Sequence, residues 1–286
     1  MSAQLSRNNY QIRKFRSFVW CSVCWMTAFI TILPLVLVLW HLINAGTKAL
    51  NLAFFTQTPK PVGEPGGGIA NAIVGSFMIV AMASLFGVPV GILGAAFLSE
   101  YAPPKLRNIV RFTSDTLNGV PSIVWGILAY ALIVVTMGRF SAIAGAVALA
   151  FIMIPLVMRT TEEMLNTVPS TYREAGLALG IPKWKTTLFI TLPLVKNGIV
   201  TGVLLAVARV FGETAPLLFT AFGNQFWNFN PTQPTAALPL QIFAYAISPY
   251  EDWHRQAWAG ALLLLMFVLS VNVTIKIVTK QAFTEK

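Results

Sequence analysis

The sequence predicts an all-α, polytopic membrane protein with about six transmembrane helices. Of its 286 residues, 56% are hydrophobic and only 10% are charged, whereas soluble proteins carry about 25% charged residues. The mean hydropathy of +0.70 points the same way. Six stretches approach the length of about 20 mostly apolar residues that a helix needs to cross a bilayer. They are residues 18–43, 69–98, 116–137, 142–158, 195–222 and 258–278.

The first of these stretches follows a basic segment that resembles the start of a signal peptide. Its apolar part is too long for a cleaved signal, and five more stretches follow, so we expect it to be retained as a membrane anchor. The sequence therefore divides into a cytoplasmic N-terminal tail at 1–17, a first transmembrane helix at 18–43 and a main transmembrane domain at 69–279.

The net charge of +10 could suggest a nucleic-acid partner. That function needs basic residues clustered on one face of a soluble fold, and here they follow the membrane topology instead. Fifteen lysines and arginines fall in the N-terminal tail, the 99–115 and 159–196 connections and the C-terminal end, against four on the opposite side. The positive-inside rule then predicts both termini in the cytoplasm, and we expect no nucleic-acid partner. Only Arg209 falls on neither side.

The 159–196 connection is too long for a simple turn and reads as two short helices. Thr171 and Glu174 have the spacing of a capping box at a helix start, Gly180 suits the residue after a helix end, and Pro182 suits a second start. Leu177, Ala178 and Ile181 would leave an apolar surface on this connection. Spacing alone leaves two interpretations open: docking into a soluble partner, or an amphipathic helix lying on the membrane.

The same connection resembles the EAA loop of type I ABC importer permeases. The family pattern is E-A-A, three residues, G, nine residues, I-x-L-P. It is matched here by Glu174-Ala175-Gly176, Gly180 and Ile190-Thr191-Leu192-Pro193, with Gly176 in place of the third alanine. The resemblance implies a MetI-like transmembrane domain at 69–279, with a cytoplasmic coupling loop at 169–193. It also implies that Glu174, Ala175, Gly176 and Gly180 contact a cytoplasmic ATPase.

The chain itself is not expected to be an enzyme. No G-x-x-x-x-G-K-[ST] motif is present, since no glycine is followed by lysine, and Gly66-Gly67-Gly68 does not have the strand context of a phosphate-binding loop. Cys21 and Cys24 have CxxC spacing but lie in an apolar helix without a nearby histidine, so we interpret them as buried packing residues. We expect no metal site and no cofactor.

Arg209 lies 13 residues beyond Lys196, or about 20 Å along a helix, which places it near the middle of the bilayer. An arginine there costs about 2.5–3.5 kcal/mol on insertion scales, and Glu213 follows at i+4. One interpretation is an internal ion pair that neutralises two buried charges. The other is an anion contact, in which Arg209 binds oxyanion oxygens and Glu213 accepts a hydrogen bond from a protonated oxyanion. Phosphate carries such a proton near neutral pH, and sulfate does not.

The surrounding residues resemble phosphate-specific ABC permeases of the PstA type. The similarity extends from about residue 54 onward and is carried by 208–220, 66–72, 159–162 and 224–227. It implies a heterodimer with a PstC-type permease, a PstB-type ATPase dimer, a periplasmic PstS-type binding protein and phosphate as substrate. It also implies a substrate pathway containing Arg209, Glu213 and Arg159. Without the resemblance, Arg159 is better interpreted as a snorkelling, topology-setting cation at a helix end. Asn71, Asn118 and Ser122 offer further polar groups, among which the sequence does not select.

Three alternatives remain at the level of sequence. The same architecture could carry sulfate or molybdate, an ion-coupled secondary carrier could use Arg209 and Glu213 as a relay, or the chain could be a membrane scaffold. The last two leave the EAA loop or the mid-membrane charge unexplained.

Overall fold

The computed structural model describes residues 2–61, 64 and 66–284. These residues form helices, turns and loops without a β-strand, and a single isolated bridge pairs Phe222 with Thr235. The predicted all-α fold class is confirmed. Four helices are long and apolar enough to cross a membrane, and six segments qualify if each of two bent helix pairs counts as one span.

The N-terminal third of the chain contains two long helices joined by a turn-rich segment. Helix α1 runs without interruption over Ser2–Gly46. A 3₁₀ turn and the short helix α2 (Leu52–Thr56) follow it. Helix α3 (Ala70–Glu100) is 31 residues long, and its N-cap residue, Ile69, follows Gly66-Gly67-Gly68.

The third predicted stretch, 116–137, is interrupted rather than continuous. Helix α4 (Pro104–Asn118) ends inside it, and α5 (Ser122–Ala129) begins after Pro121. A π-helical turn then leads into α6 (Val135–Met137). Because Pro121 lacks an amide hydrogen and disfavours helical geometry in the residue before it, the pair bends there by 99°.

The middle of the chain holds the most buried helix and the predicted loop. Helix α7 (Ala142–Asn166) is capped by the Ser141 side chain, which accepts from the amide of Ala144. The loop contains α8 (Ser170–Ala178), α9 (Lys183–Thr186), a π-helical turn and α10 (Leu192–Leu194).

The fifth predicted stretch, 195–222, is also divided. Helix α11 (Lys196–Phe211) is bent by 74° from the α9–α10 segment and ends before Gly212. The short α12 (Ala215–Leu218) follows, and then come α13 (Leu238–Ala246) and the long α14 (Glu251–Thr284).

The core lies where α3 packs along α7. Their backbones approach closely because glycines face α7: a Cβ on Gly91 would lie 2.8 Å from the Cβ of Val157. Ile79, Leu149 and Met153 are fully buried there. By contrast, α1 packs against α14 and leaves most of its surface uncovered. Cys21 and Cys24 are therefore exposed, because no other part of the chain covers them. The prediction that they are buried packing residues was wrong.

Candidate functional site

The first helix in the loop between α7 and α11 ends just before Gly180, as the sequence predicts. Gly180 adopts a φ of +73°, a left-handed conformation that glycine tolerates best. The amide of Gly180 donates to Leu177 O at 2.9 Å, and the amide of Ile181 donates to Gly176 O at 3.1 Å. These two bonds form a Schellman motif, which turns the chain sharply from α8 towards α9.

The predicted start of this helix was wrong by two residues. Helix α8 begins at Ser170, after Pro169, and the structure gives this end no side-chain cap among the described residues. Thr171 and Glu174 therefore do not form the expected capping box. Pro169 explains the difference, since its fixed φ and the extended geometry of the chain at that point already set the helix start.

Gly176 is buried and packs against α9. A Cβ at this position would lie 2.8 Å from Thr186 Oγ1 and 2.9 Å from Thr186 Cγ2, closer than real Cβ contacts. The glycine that replaces the family's third alanine thus makes room for Thr186. Glu174 and Ala175, its neighbours in the motif, are exposed.

Arg173 fastens α8 to the ends of α3 and α7. Its Nε donates to Glu100 Oε1 at 2.8 Å, while its terminal nitrogens donate to Val168 O at 2.8 Å and Leu165 O at 3.0 Å. Glu100 is buried, so the pair is largely screened from water. Sequence reasoning missed this contact; the one signal available was a carboxylate at the end of an apolar stretch.

An apolar surface remains exposed on the loop. Tyr172, Leu177 and Leu179 are exposed, and 79% of the surface of Leu179 is accessible to solvent. Of the three residues expected to form this surface, Leu177 and Ala178 are exposed and Ile181 is half-buried. The surface stands beside the carboxylate of Glu174 and lies at the end of the bundle that also contains Glu100.

Arg209 lies in the last turn of α11, and Glu213 lies in the break that follows. Arg209 Nε and Glu213 Oε1 are 4.0 Å apart, a loose ion pair, and the side chain of Arg209 remains 45% exposed. An internal pair that only neutralises two charges would be expected to be tighter and more buried. The guanidinium therefore keeps donors available on the open side of the chain.

Close helix packing fixes the elements around Arg209. A Cβ on Gly202 of α11 would lie 2.9 Å from the Cβ of Thr160 on α7, and a Cβ on Gly126 of α5 would lie 2.6 Å from Pro216 Cα on α12. These two contacts hold α11 and α5 in place on either side of the break at 212–214.

A small cavity joins Arg209 to the break between α4 and α5. It is lined by Arg209, Asn118, Ser122 and neighbouring apolar residues, including Trp125. The structure thus selects two of the three polar candidates that the sequence could not rank. Asn71 lies elsewhere: it is buried, and its amide donates to Asn224 O at 2.7 Å.

Arg159 belongs to a cluster of charges between α7 and α4. Its guanidinium nitrogens lie 2.9 Å from Glu163, 3.8 Å from Asp115 and 3.9 Å from Glu162. The side chain of Glu162 is only 2% exposed and forms a second ion pair, in which its Oε1 lies 2.6 Å from a terminal nitrogen of Arg111. The Arg111–Glu162 contact, 51 residues apart in the sequence, was missed because nothing in the local pattern links the two helices.

The part of the chain that the structure describes contains no group of three or more histidine, cysteine or acidic residues placed to hold a metal ion. The candidate site therefore consists of a membrane-embedded arginine with polar neighbours and, at one end of the bundle, an exposed helical loop. Such a combination is suited to binding an anion and to contacting a partner, respectively.

Comparison with solved structures defines the class of protein. A bacterial alginate ABC transporter, solved in complex with an alginate-bound periplasmic protein, aligns over 93% of this chain and 96% of its own with a TM-score of 0.67 and 12% identity. The inward-facing MetNI methionine ABC transporter aligns over 73% of this chain and 92% of its own, with a TM-score of 0.56 and 20% identity. The fold is that of a type I ABC importer transmembrane domain.

Comparison of sequences defines the family. Residues 87–282 match the model of the binding-protein-dependent transport system inner membrane component. The phosphate transport system permease protein PstA of Pasteurella multocida is 42% identical over 96% of this chain and 98% of its own. That of Xylella fastidiosa is 49% identical over 81% of each. The chain belongs to the family of binding-protein-dependent inner membrane transport components and, within it, to the PstA permeases.

Proposed function

We propose that this protein is the non-catalytic permease subunit of an ATP-driven importer that moves inorganic phosphate across the cytoplasmic membrane. The observation that carries the proposal is the similarity to permeases named for phosphate transport over nearly the whole chain. Arg209 supports it, because a half-exposed guanidinium in an apolar span is suited to contact an anion, and an arginine is costly there without a partner.

Import by this permease would require three functions that other subunits supply. A PstB-type ATPase dimer would supply hydrolysis, and a PstS-type binding protein would deliver phosphate from the periplasm. A paralogous PstC-type permease would complete the pathway, since six spans with one coupling loop make half of a symmetric pair. The distribution of cations supports a cytoplasmic location for both termini and the coupling loop. We assign 69–279 as the transport domain, with α1 as an additional anchor.

The coupling loop is suited to transmit force from the ATPase. Tyr172, Leu177 and Leu179 offer an apolar surface for burial in a partner, while Glu174 and Ala175 are the exposed part of the motif. Gly176 lies behind this surface and allows α9 to pack, whereas Gly180 is also exposed and turns the chain. Arg173 passes any displacement of α8 to α3.

The pathway residues would act in sequence on the anion. Arg209 donates to phosphate oxygens at mid-membrane, and Glu213 accepts from the protonated oxygen, a contact that sulfate cannot make. Arg159 lies at the cytoplasmic end of α7 among three carboxylates. Because these carboxylates compete for its charge, Arg159 would bind the anion weakly and release it.

Alternating access would move the anion between these contacts. ATP-driven closure of the ATPase draws the two coupling loops together and opens the pathway outward to receive phosphate from the binding protein. Hydrolysis resets the pathway inward. Differential contact in the two states is what lets ATP binding shift their populations.

Reconstitution tests the function directly. The chain would be assembled in liposomes with its ATPase, its partner permease and its binding protein, and uptake of labelled phosphate would be measured with and without ATP. We expect ATP-dependent accumulation that unlabelled sulfate does not compete. Phosphate uptake that persists without the ATPase, or ATP-driven uptake of sulfate in preference to phosphate, would contradict the proposal.

A further inference from the structure

Asn118 carries a polar atom for which the fold provides no partner. The residue ends α4, immediately before the break at Gly119–Pro121. Its Oδ1 is buried and has no hydrogen-bond partner within the described part of the chain. Buried polar side-chain atoms are nearly always paired, and an unpaired one costs about 1–3 kcal/mol. No described group of the chain donates to this atom, so the donor it needs can come from a bound group.

The position of Asn118 indicates what that donor is. Asn118 and Arg209 line the same cavity, although they lie on helices that are far apart in sequence. The cavity measures about 10 Å³, room for roughly one water-sized group. It is therefore too small for a tetrahedral anion and large enough for one of its oxygens. The remaining oxygens would face the exposed guanidinium of Arg209.

The two partners differ in the chemistry they select. Arg209 is a donor of hydrogen bonds and binds any oxyanion, protonated or not. In this orientation of the amide, Asn118 Oδ1 is an acceptor and stabilises an oxygen that carries a proton. A sulfate oxygen would place lone pairs against lone pairs in a buried site, which leaves both groups unsatisfied. A binding site that hydrogen-bonds a hydroxyl of its ligand discriminates strongly against an analogue that lacks this hydroxyl.

We propose that Asn118 is a specificity-determining residue that accepts a hydrogen bond from the protonated oxygen of the transported oxyanion. This inference rests on the proposed function, because it concerns the same pathway as Arg209. It adds a second acceptor to Glu213, on α4 rather than after α11.

The experiment measures binding without the binding protein, whose own selectivity would hide that of the pathway. The complex of both permeases and the ATPase, in lipid nanodiscs, is equilibrated by dialysis against ³³P-phosphate or ³⁵S-sulfate. Asn118→Leu removes the acceptor at similar size, and Asn118→Asp keeps an acceptor while adding charge. Asn108→Leu is the matched control, because Asn108 is an exposed residue on the same helix, away from the cavity.

We expect Asn118→Leu to lower the ratio of retained phosphate to sulfate by about tenfold. Asn118→Asp should weaken retention of both anions but keep the preference for phosphate, and Asn108→Leu should behave as wild type. An unchanged ratio in Asn118→Leu overturns the inference. So does a loss of preference in Asn118→Asp as large as in Asn118→Leu. Wild-type complex that retains no phosphate would also overturn the inference, because the pathway would then have no site for Asn118 to complete. Failure of the complete reconstituted importer to take up phosphate would instead overturn the proposed function, and this inference with it.

Discussion

Arg209 illustrates how a single residue acquires an accessible charge inside a membrane span. The last turn of a helix leaves backbone carbonyls without partners, and a cation there interacts favourably with them. Arg209 occupies that position, while Glu213 lies 4.0 Å away across the break. The helix end and the loose pair together lower the cost of the charge without occupying all five of its donors.

Replacing Arg209 is therefore expected to impair phosphate transport strongly. Arg209→Gln removes a charge-assisted interaction of about 1.5–3 kcal/mol, which corresponds to a fall of roughly 10- to 150-fold in the transport rate at limiting phosphate. Arg209→Lys should retain part of the rate, because it keeps the charge and loses the planar fork. Uptake into proteoliposomes measures both. Arg139→Gln, which alters an exposed cation outside the cavity, is the control and should transport normally.

Gly176 gives a second prediction at the scale of one residue. Restoring the family's alanine would place a Cβ 2.8 Å from Thr186 Oγ1, and such overpacking costs about 1–3 kcal/mol. We expect Gly176→Ala to lower the unfolding temperature of the purified complex and to weaken substrate-stimulated ATP hydrolysis. Adding Thr186→Ala should recover both. A Gly176→Ala variant that melts like wild type would show that α9 yields without cost.

At the scale of elements, the loop is held by a contact between segments remote in sequence. Arg173 lies on α8 and Glu100 lies at the end of α3, 73 residues earlier. The pair links the coupling loop directly to α3, one of the two helices that form the core. A buried ion pair of this kind contributes modestly as a whole, yet removing one partner is costly because the other charge remains buried.

The double-mutant cycle on this pair has a defined expected result. Arg173→Ala should lower the free energy of unfolding by about 3–5 kcal/mol, since Glu100 would be left buried and unpaired. Adding Glu100→Gln should restore part of that loss. Thermal unfolding of the complex measures stability, and co-purification of the ATPase measures docking. If the effects of Arg173→Ala alone and Glu100→Gln alone sum to the effect of the double variant, the two residues are not energetically coupled.

Sequence reasoning succeeded where signals are local and failed where they depend on packing. Gly180 was predicted as a helix end because the chain needs a residue that tolerates positive φ, and its φ is +73°. The extents of 116–137 and 195–222 were overestimated, since apolar composition continues through the breaks before Pro121 and Pro216. Asn118 could not be separated from Asn71, because only the packed helices show which of them lies beside Arg209.

At the scale of the whole molecule, six crossings would return both ends of the chain to the same side. The distribution of cations predicts that this side is cytoplasmic. The two helix breaks then fall within the membrane, where irregular backbone is tolerated only if it is covered by protein or lines a polar cavity. The cavity at Arg209 lies beside both breaks, which is consistent with this rule.

Labelling with a membrane-impermeant maleimide tests this topology. Cys21 and Cys24 are exposed thiols, so both would first be changed to serine. In spheroplasts, Gln225→Cys should be labelled, because it lies in the exposed 223–235 connection on the periplasmic side. Leu179→Cys, on the coupling loop, should be labelled only after lysis, although it is 79% exposed. The reverse pattern would invert the orientation of the bundle.

Helix α3 gives the molecule a direct mechanical link between its two faces. At one end, Glu100 is bonded to the coupling loop. At the other, Asn71 donates to Asn224 O and Ser76 Oγ accepts from the amide of Leu238, at the two ends of the connection before α13. Helix α3 has 31 residues, which makes it about 46 Å long at 1.5 Å per residue. A displacement of that connection would therefore be transmitted to the loop between α7 and α11 through a single helix, and a displacement of the loop would follow the same route in reverse.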